Sequence, residues 1–214
     1  MKIYLASESP RRKQLIKWMG LEVEVMNHQV DEEKVKIKEP KDLVGELALM
    51  KAYDVEEKLK GRMKNEKFLV IGSDLVIARG KNIYGKPKSL EDGKKILREL
   101  RGKIHSAWCG VAVVKPDSEE AVMSVAETKV KMKKYSDGII DRYVKTVAVT
   151  GKAGSYGIQD KLENYGSLVE SFEGGITTVI GLPLHYLENL LKEFGVKVKK
   201  DWRKICRQET GYEY

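Results

Sequence analysis

FLVIGSDLVIARG, residues 68–80, is the most apolar run in the chain, and it decides the predicted fold. Side chains alternate between the two faces of a strand, so Asp74 would share one face with Phe68, Val70 and Val76. A carboxylate inside such a strand is costly unless it is paired, hydrogen-bonded or bound to a metal. The run therefore predicts a buried strand that carries a functional Asp74. The alternative is a structural Asp74 held by backbone groups at a strand end.

The segments around this strand predict an α/β fold. Residues 80–82 are typical of a turn, so the strand would double back and bring Lys86 near Asp74. Residues 104–114 and 121–132 predict an antiparallel pair. Helices and strands do not alternate strictly, which favours a mixed β-sheet flanked by helices over a doubly wound parallel one. Further strands are predicted at residues 2–6, 22–26, 168–172 and 176–180, and helices at residues 42–60, 89–100, 137–145 and 183–194, besides one that begins at residue 10.

Residues 5–15, LASESPRRKQL, predict a strand that runs into a helix with an unusual charge at its start. Ser9 is a good N-cap, and the proline after it fits the first helical position. Three consecutive cations follow, at the positive end of the helix dipole, where Asp or Glu would be preferred. An anion bound there would offset this repulsion, and Ser7, Arg11, Arg12 and the free backbone amides describe a polyphosphate cradle. The alternative is a solvated basic helix start.

An inward-facing lysine and an acidic cluster follow in the chain. Lys51 falls on the apolar face of the helix predicted over residues 42–60. Its ammonium either snorkels to water, which the spacing alone favours, or reaches a carboxylate or phosphate. Asp31, Glu32 and Glu33 form the acidic cluster, which is a solvated loop before the helix unless a cation binds there.

The Gly-rich segment GKAGSYGIQD, residues 151–160, indicates a tight loop. Such loops can bring backbone amides close to a ligand, but this one matches neither the P-loop pattern nor G-x-G-x-x-G. The three histidines, at positions 28, 105 and 185, have no metal-ligand spacing.

The composition limits which classes of partner and compartment the sequence allows. The chain has 214 residues, 42% of them hydrophobic, which is typical of a globular protein. Its net charge of +8 fits nucleic acid, an anionic small molecule or a Lys-rich surface. No basic run is interleaved with aromatic residues, so nucleic acid is the less favoured partner.

No stretch approaches the roughly 18 apolar residues of a spanning helix, and no signal peptide is visible, so we expect a cytoplasmic protein without a membrane partner. Cys109 and Cys206 lack the spacing of a zinc site or disulfide framework.

Together these residues indicate hydrolysis of a phosphoanhydride. Cations can hold a polyphosphate, carboxylates can hold a divalent metal, and a carboxylate can orient or deprotonate an attacking water. Such a set works by positioning and charge stabilisation, without a covalent intermediate. The alternative is a basic nucleic-acid-binding protein that uses the same cations without turnover.

The chain resembles the Maf family of cytoplasmic nucleoside triphosphate pyrophosphatases over about residues 2–196. The matching stretches occur in the family's order and are LASESPRRKQL, VDEEK, ELALMKA, VIGSDLVI, YGKP, LRGKIHSAWCGV, GKAGSYGIQ and GLPL. The resemblance implies an elongated α/β fold with a central mixed sheet and a cleft between two lobes. We therefore expect a Maf-like domain over residues 1–198. The polar composition of residues 199–214 predicts a C-terminal tail that is loose or docked on the surface.

Matched residue by residue, the resemblance implies that Asp74 is the proton acceptor that activates water. Glu32 matches the acidic metal-site position, and with Asp74 it would hold Mg²⁺ or Mn²⁺. The implied reaction is attack of water on the α-phosphorus of a nucleoside triphosphate, which gives the monophosphate and pyrophosphate. The implied substrate-binding residues are Ser7, Arg11, Arg12, Lys51, Lys86, Gln159 and, in the Gly-rich segment, Lys152.

The same resemblance implies a substrate. Arg11 and Gln159 resemble the branch of the family that acts on dTTP, UTP and modified pyrimidine nucleotides, a role in clearing the nucleotide pool. Leu75 stands where that branch typically has Thr, and Asp160 stands where Gly is usual. Leu75 cannot donate a hydroxyl hydrogen bond, which predicts altered recognition of base or phosphate.

Two other roles stay open within the family. One is the branch that handles methylated guanosine triphosphates, and the other is regulation of septum formation in cell division. Family members are often dimers, so the resemblance also leads us to expect a homodimer.

Overall fold

A single mixed sheet organises the protein, whose computed structural model describes residues 1–63, 67–116 and 121–212. Within these ranges the sheet has seven strands. They are β1 (Lys2–Leu5), β2 (Glu24–Val25), β3 (Phe68–Arg79), β4 (Asn82–Tyr84), β5 (Ile104–Val114), β6 (Ala121–Met132) and β7 (Val169–Glu173).

The strand order is β2-β1-β3-β5-β6-β7, and β4 pairs with the C-terminal end of β3. β1 runs parallel to β2 and to β3, whereas β3–β4, β3–β5, β5–β6 and β6–β7 are antiparallel. The predicted mixed sheet flanked by helices is confirmed, and so is the antiparallel pair β5–β6. β3 lies in the middle because nearly all of its side chains are buried on both faces, as expected for an inner strand.

Seven α-helices flank the sheet in the described residues. They are α1 (Pro10–Trp18), α2 (Pro40–Lys60), α3 (Leu90–Leu100), α4 (Asp137–Thr146), α5 (Ile176–Ile180), α6 (Leu184–Glu193) and α7 (Trp202–Thr210). Serine caps begin three of them: Ser9, as predicted, and also Ser89 and Ser136 accept hydrogen bonds from backbone amides of α1, α3 and α4. In the described ranges, the structure contains no helix whose length and apolar character would suit a membrane span.

Helix α2 lies unusually close to the sheet. A side chain at Gly72 of β3 would overlap the carbonyl oxygen of Ala48, and one at Gly110 of β5 would overlap that of Val44. The two glycines lie close together on adjacent strands, because Gly72 pairs with Ala112 and Gly110 pairs with Asp74. Their lack of side chains lets the backbone of α2 rest directly on β3 and β5. This close approach fixes the distance between α2 and Asp74.

One predicted element has the wrong type, and two have the wrong bounds. The β-branched run Ile176–Ile180 forms helix α5, because a short apolar run does not distinguish a strand from a buried helix, and all five side chains are buried. The helix predicted over residues 42–60 begins at Pro40, because proline favours the first helical position. The strand predicted at residues 22–26 has only two residues.

The C-terminal segment contains a docked helix. Asp201 caps α7 by accepting from the amides of Arg203 and Lys204, and Trp202 and Cys206 are buried. Lys199 donates its backbone N–H to the carbonyl of Met19 after α1. In its described part, residues 199–212, the segment is therefore surface-docked rather than loose, and α6 is followed by one more helix than predicted. Residues 213 and 214 lie outside the described part of the chain.

Candidate functional site

A buried lysine lies between two carboxylates at the centre of the candidate site. The Nζ atom of Lys51 lies 2.5 Å from Oδ1 of Asp74 and 2.6 Å from Oε1 of Glu32. Lys51 is 2% exposed and Asp74 is 5% exposed, whereas Glu32 keeps about two fifths of its side chain in water. Three separate parts of the chain thus converge: β3, α2 and the short 3₁₀ turn Glu32–Lys34.

The inner position of Lys51 corrects one preference drawn from the sequence. Spacing alone favoured snorkelling to water, but the ammonium bonds to carboxylates instead. The reason is the close packing of α2 on Gly72, which keeps Lys51 buried with its ammonium against Asp74 and Glu32. Asp74 itself lies in the middle of β3 and opposite Gly110, not at a strand end. A charged pair at such a depth persists only because each charge compensates the other.

The charge around Glu32 favours its ionised form. Partial burial opposes ionisation, but the charge and hydrogen bond of Lys51, followed by Lys86 and His28, lower the pKa of Glu32 below its usual value. Lys86 and Glu32 both line a cleft of about 700 Å³, which is also lined by β4 and by α3. The hairpin therefore brings Lys86 to the Glu32 side of the site.

The basic start of α1 lies against a second set of polar groups. Arg12 donates from Nε to the carbonyl oxygen of Gly181 at 2.8 Å and from Nη1 to the hydroxyl of Ser7 at 3.2 Å. The Gly181 carbonyl also accepts from the hydroxyl of Ser73, the neighbour of Asp74, at 3.1 Å. Arg12 is thus oriented by Ser7, in the loop after β1, and by Gly181 between α5 and α6, and only Gly181 links it to β3. A Cβ atom at Gly181 would lie 3.7 Å from Nε of Arg12 and 3.7 Å from Cδ2 of Leu75, so both side chains border Gly181.

The Gly-rich loop supplies another side of the site. Arg11 donates from Nη2 to the carbonyl oxygen of Gly151 at 2.9 Å, which ties α1 to this loop. Burial, and then the neighbouring Arg12, lower the pKa of Arg11. Lys152 is paired with the carboxylate of Asp160. Gln159 is exposed at the surface of the loop.

The site residues predicted from sequence fall into three groups in the structure. Asp74, Lys51 and Glu32 form an ion-paired cluster, with Lys86 acting electrostatically on Glu32. Ser7 and Arg12 form a second group, joined to β3 through Gly181 and Ser73. Arg11, Lys152 and Gln159 belong to the third group, on and beside the Gly-rich loop.

Two neighbours of the site escaped the sequence reasoning. His28 lies near Lys51 and Glu32, and burial, then the charges of Lys51 and Arg12, lower its pKa. Among the residues that the structure describes, its buried Nδ1 has no hydrogen-bond partner. Tyr143 of α4 donates its hydroxyl to Asp160. His28 lies three residues before Asp31, the first residue of the acidic cluster, and could have been weighed with it. No sequence signal pointed to Tyr143, which is 17 residues from Asp160.

A divalent cation would find two carboxylates here. Glu32 and Asp74 point at the same ammonium, so both are within reach of one position. In the described ranges no group of three or more His, Cys, Asp or Glu side chains could form a cage of protein ligands. Mg²⁺ commonly binds through one or two carboxylates and completes its coordination with waters and substrate phosphates. The donor set fits a cation of that kind and not a closed structural metal site.

Comparison with known proteins gives the same family along nearly the whole chain. The family described as Maf-like protein matches residues 2–194. A dTTP/UTP pyrophosphatase of Acetivibrio thermocellus is 43% identical over 201 residues, covering 94% of this chain and 98% of the relative. That of Thermotoga maritima is 42% identical, covering 96% and 93%, and that of Agrobacterium fabrum is 37% identical, covering 94% and 96%.

A solved structure with a more remote similarity is the Staphylococcus aureus Ham1 protein, with a TM-score of 0.37 and 16% identity over 63% of this chain and 73% of that one. The family match extends over residues 2–194, the range in which all the residues of the three groups lie. The chain belongs to the Maf family.

Proposed function

We propose that this protein hydrolyses nucleoside triphosphates to the monophosphate and pyrophosphate, in the cytoplasm, with dTTP, UTP and modified pyrimidine nucleotides as preferred substrates. The observation that carries the proposal is the buried Lys51, which holds Asp74 and Glu32 beside the Ser7–Arg12 group. The relatives at 37–43% identity that bear the name dTTP/UTP pyrophosphatase support the choice of reaction and substrate.

Asp74 is the proposed general base. Its carboxylate accepts a proton from the water that attacks the α-phosphorus; the new P–O bond forms as the bond from the α-phosphorus to the bridging oxygen breaks. Pyrophosphate leaves with the electrons of that bond. Lys51 bonds to Oδ1 of Asp74 and so fixes the direction of the carboxylate, and the two charges remain compensated until the proton arrives.

The cations hold the triphosphate. Arg12 is already oriented by Gly181 and Ser7, so its guanidinium needs little rearrangement to bind a phosphate oxygen. The N-terminus of α1 adds backbone amides and the positive end of the helix dipole. Lys86, on the other side of Glu32, would meet the pyrophosphate end in the cleft. Charge built up on the leaving group is thereby stabilised from two sides.

We further propose a requirement for Mg²⁺ or Mn²⁺, held by Glu32 and Asp74 together with the substrate phosphates. When bound, the cation would neutralise phosphate oxygens and make the attacking water more acidic. The lowered pKa of Glu32 supports this, because an ionised carboxylate is what a hard cation requires. Titration with EDTA should abolish pyrophosphate release, and added Mg²⁺ or Mn²⁺ should restore it.

The direct test is a pyrophosphate-release assay on UTP, dTTP, CTP, ATP, GTP and a methylated guanosine triphosphate. We expect the highest kcat/KM for UTP and dTTP. Asp74→Asn should lose on the order of 10²-fold or more in kcat, because it removes the base and keeps the shape. Arg12→Ala should mainly raise KM.

The matched control is Asp141→Asn, a carboxylate of α4 whose ion pair with Lys94 lies at the surface, 2.9 Å long. It should retain the activity of the wild type. Well-folded wild-type protein without pyrophosphate release from any of these nucleotides, or full activity in Asp74→Asn, would contradict the proposal. A preference for the methylated guanosine nucleotide would retain the reaction and change the substrate.

A further inference from the structure

The Gly-rich loop is closed by a carboxylate that the proposed reaction does not use. Oδ2 of Asp160 accepts hydrogen bonds from Nζ of Lys152 and from the hydroxyl of Tyr143. That hydroxyl in turn accepts from the backbone N–H of Gly157 at 3.0 Å, and the N–H of Asp160 donates to the carbonyl of Gly157 at 3.0 Å. Lys152 and Asp160 thus join the two ends of a nine-residue segment. We call Lys152, Asp160 and Tyr143 the loop clip.

The clip is built into the loop and is not a passing surface contact. The side chains of Lys152 and Asp160 are 12% and 20% exposed. A Cβ atom at Gly157 would lie within 2.9 Å of three atoms of the Asp160 carboxyl group, so the glycine is what makes room for it. Burial, and then the adjacent Asp160, raise the pKa of Tyr143, so its hydroxyl stays a donor. Lys152 and Tyr143 therefore share one acceptor, the carboxylate of Asp160.

The clip changes which groups this part of the site can offer to a ligand. The ammonium of Lys152 is compensated by Asp160, and Arg11 already donates to Gly151 at the start of the loop. The carboxamide of Gln159, directly before Asp160, is exposed. A compensated cation beside an exposed carboxamide suits a neutral group with hydrogen-bond donors and acceptors. It suits a phosphate less well, because a phosphate requires free positive charge.

We propose that Asp160 is a positioning residue that, through the loop clip, fixes Gln159 and Arg11 for selection of the nucleotide base. The inference rests on the proposed function and assigns the Gly-rich loop to the base rather than to the phosphates. Lys152 then acts as a partner of Asp160 and not as a phosphate ligand. The substrate class it selects is a nucleotide with a uracil or thymine base.

Asp160 is needed because a carboxamide that is free to turn over cannot distinguish uracil or thymine from cytosine. Uracil and thymine present an N–H flanked by carbonyl oxygens, whereas cytosine presents an unprotonated nitrogen beside an amino group. A glutamine amide can match either pattern by turning over, since it carries one acceptor and one donor group. Selection therefore needs a loop that holds Gln159 in one orientation. A guanidinium held at Gly151 adds donors that suit carbonyl oxygens and oppose an amino group.

The first test measures the loop itself and requires no substrate. Asp160→Asn keeps the shape of the side chain and removes its charge. Hydrogen exchange of the amides of residues 157–160 should accelerate about tenfold or more in this variant. The matched control is Glu170→Gln, which removes a carboxylate from a surface ion pair with Lys131 of 2.7 Å and should leave that exchange unchanged. Unchanged exchange in Asp160→Asn overturns the inference.

The second test measures base selection as the ratio of kcat/KM for UTP over CTP. Asp160→Asn and Lys152→Met should each lower the ratio about tenfold, mainly through the KM values. The double variant should have about the same UTP over CTP ratio as either single variant, because each substitution removes the same contact between Lys152 and Asp160. A Lys152 that binds phosphate predicts instead an equal loss on both nucleotides in Lys152→Met alone, which overturns the inference.

The two proposals fail in different ways. Wild-type protein that hydrolyses no nucleotide contradicts the proposed function, and base selection falls with it. Active wild-type protein whose UTP over CTP ratio is unchanged in both variants overturns only the role of the clip. Glu170→Gln should keep the wild-type ratio in every case.

Discussion

The ammonium nitrogen of Lys51 lies 2.5 Å from Oδ1 of Asp74, and both side chains are almost completely withdrawn from water. An ammonium and a carboxylate at this depth each incur a large desolvation cost, which their mutual attraction offsets, with a further contribution from Glu32 to Lys51. The pair joins α2 to the middle of β3, through residues that are 23 positions apart in the sequence. It is therefore both part of the proposed catalytic site and a structural link between helix and sheet.

Lys51→Met should destabilise the fold by about 3–5 kcal/mol, because it leaves the charge of Asp74 buried without its partner. Urea unfolding at neutral pH measures this difference. Lys58→Met is the control on the same helix: its ion pair with Asp54 is partly exposed, so the expected loss is below about 1 kcal/mol. Equal losses in the free energy of unfolding for the two variants would contradict this prediction, because the buried pair would then contribute no more than the partly exposed one.

Gly72→Ala should force α2 away from the sheet, since the new methyl group would overlap the Ala48 carbonyl and lie 2.9 Å from the Ala52 nitrogen. We expect a loss of roughly 1–3 kcal/mol in the free energy of unfolding and a fall in kcat, as Lys51 moves with the helix. Gly138→Ala in α4 is the control, where the nearest atom would be 3.7 Å away. It should be neutral or slightly stabilising. A fully active, equally stable Gly72→Ala protein would refute the role of this close approach.

His105 should make stability depend on pH. It is buried on β5 against the hydroxyl of Tyr156 at 2.7 Å, and desolvation, with a contribution from Arg79, lowers the pKa of His105 to about 4. The unfolded chain takes up the proton near pH 6.5 and the folded chain only near pH 4, so stability falls as pH decreases between these values. The full effect is roughly 3 kcal/mol.

The check is urea unfolding at several pH values between about 4 and 7. His105→Gln keeps a hydrogen-bonding group but does not titrate, so its stability should vary less with pH by about that amount. Parallel curves for the wild type and His105→Gln would rule out this histidine as the cause.

Trp202 should make the C-terminal segment part of the folded domain. Its ring is 1% exposed, its Nε1 donates to Glu188 of α6 at 3.0 Å, and the Arg203 guanidinium lies 4.2 Å from the ring centre. Trp202→Ala should lose about 3–5 kcal/mol of stability. Tyr186→Ala, at a half-exposed tyrosine of α6, is the control and should lose much less.

Truncation after residue 198 tests the predicted domain boundary directly. We expect the shortened protein to be destabilised by a similar amount to Trp202→Ala, as judged by thermal unfolding. A truncated protein as stable as the full chain would instead support the predicted domain over residues 1–198 with a dispensable tail.

Local chemistry determined much of this protein from its sequence. The long apolar run of β3, the serine caps and the paired runs of β5 and β6 follow from periodicity and capping, which act over a few residues. The same kind of reasoning found Asp74 and the basic start of α1, because a carboxylate in an apolar strand and three cations at a helix start conflict with their surroundings. The order of the motifs along the chain was enough to indicate the family.

The tertiary structure alone decided the contacts that join distant segments. Spacing placed Lys51 on an apolar face but could not say whether it reached water or Asp74, because that depends on how closely α2 rests on Gly72 and Gly110. The helical state of residues 176–180 depends on burial from all sides, which a five-residue pattern does not encode. The pairing of Asp160 with Lys152 and Tyr143 likewise depends on a loop closure and on α4. Such contacts are set by the packing of whole elements, whereas periodicity and capping are set by the neighbouring residues.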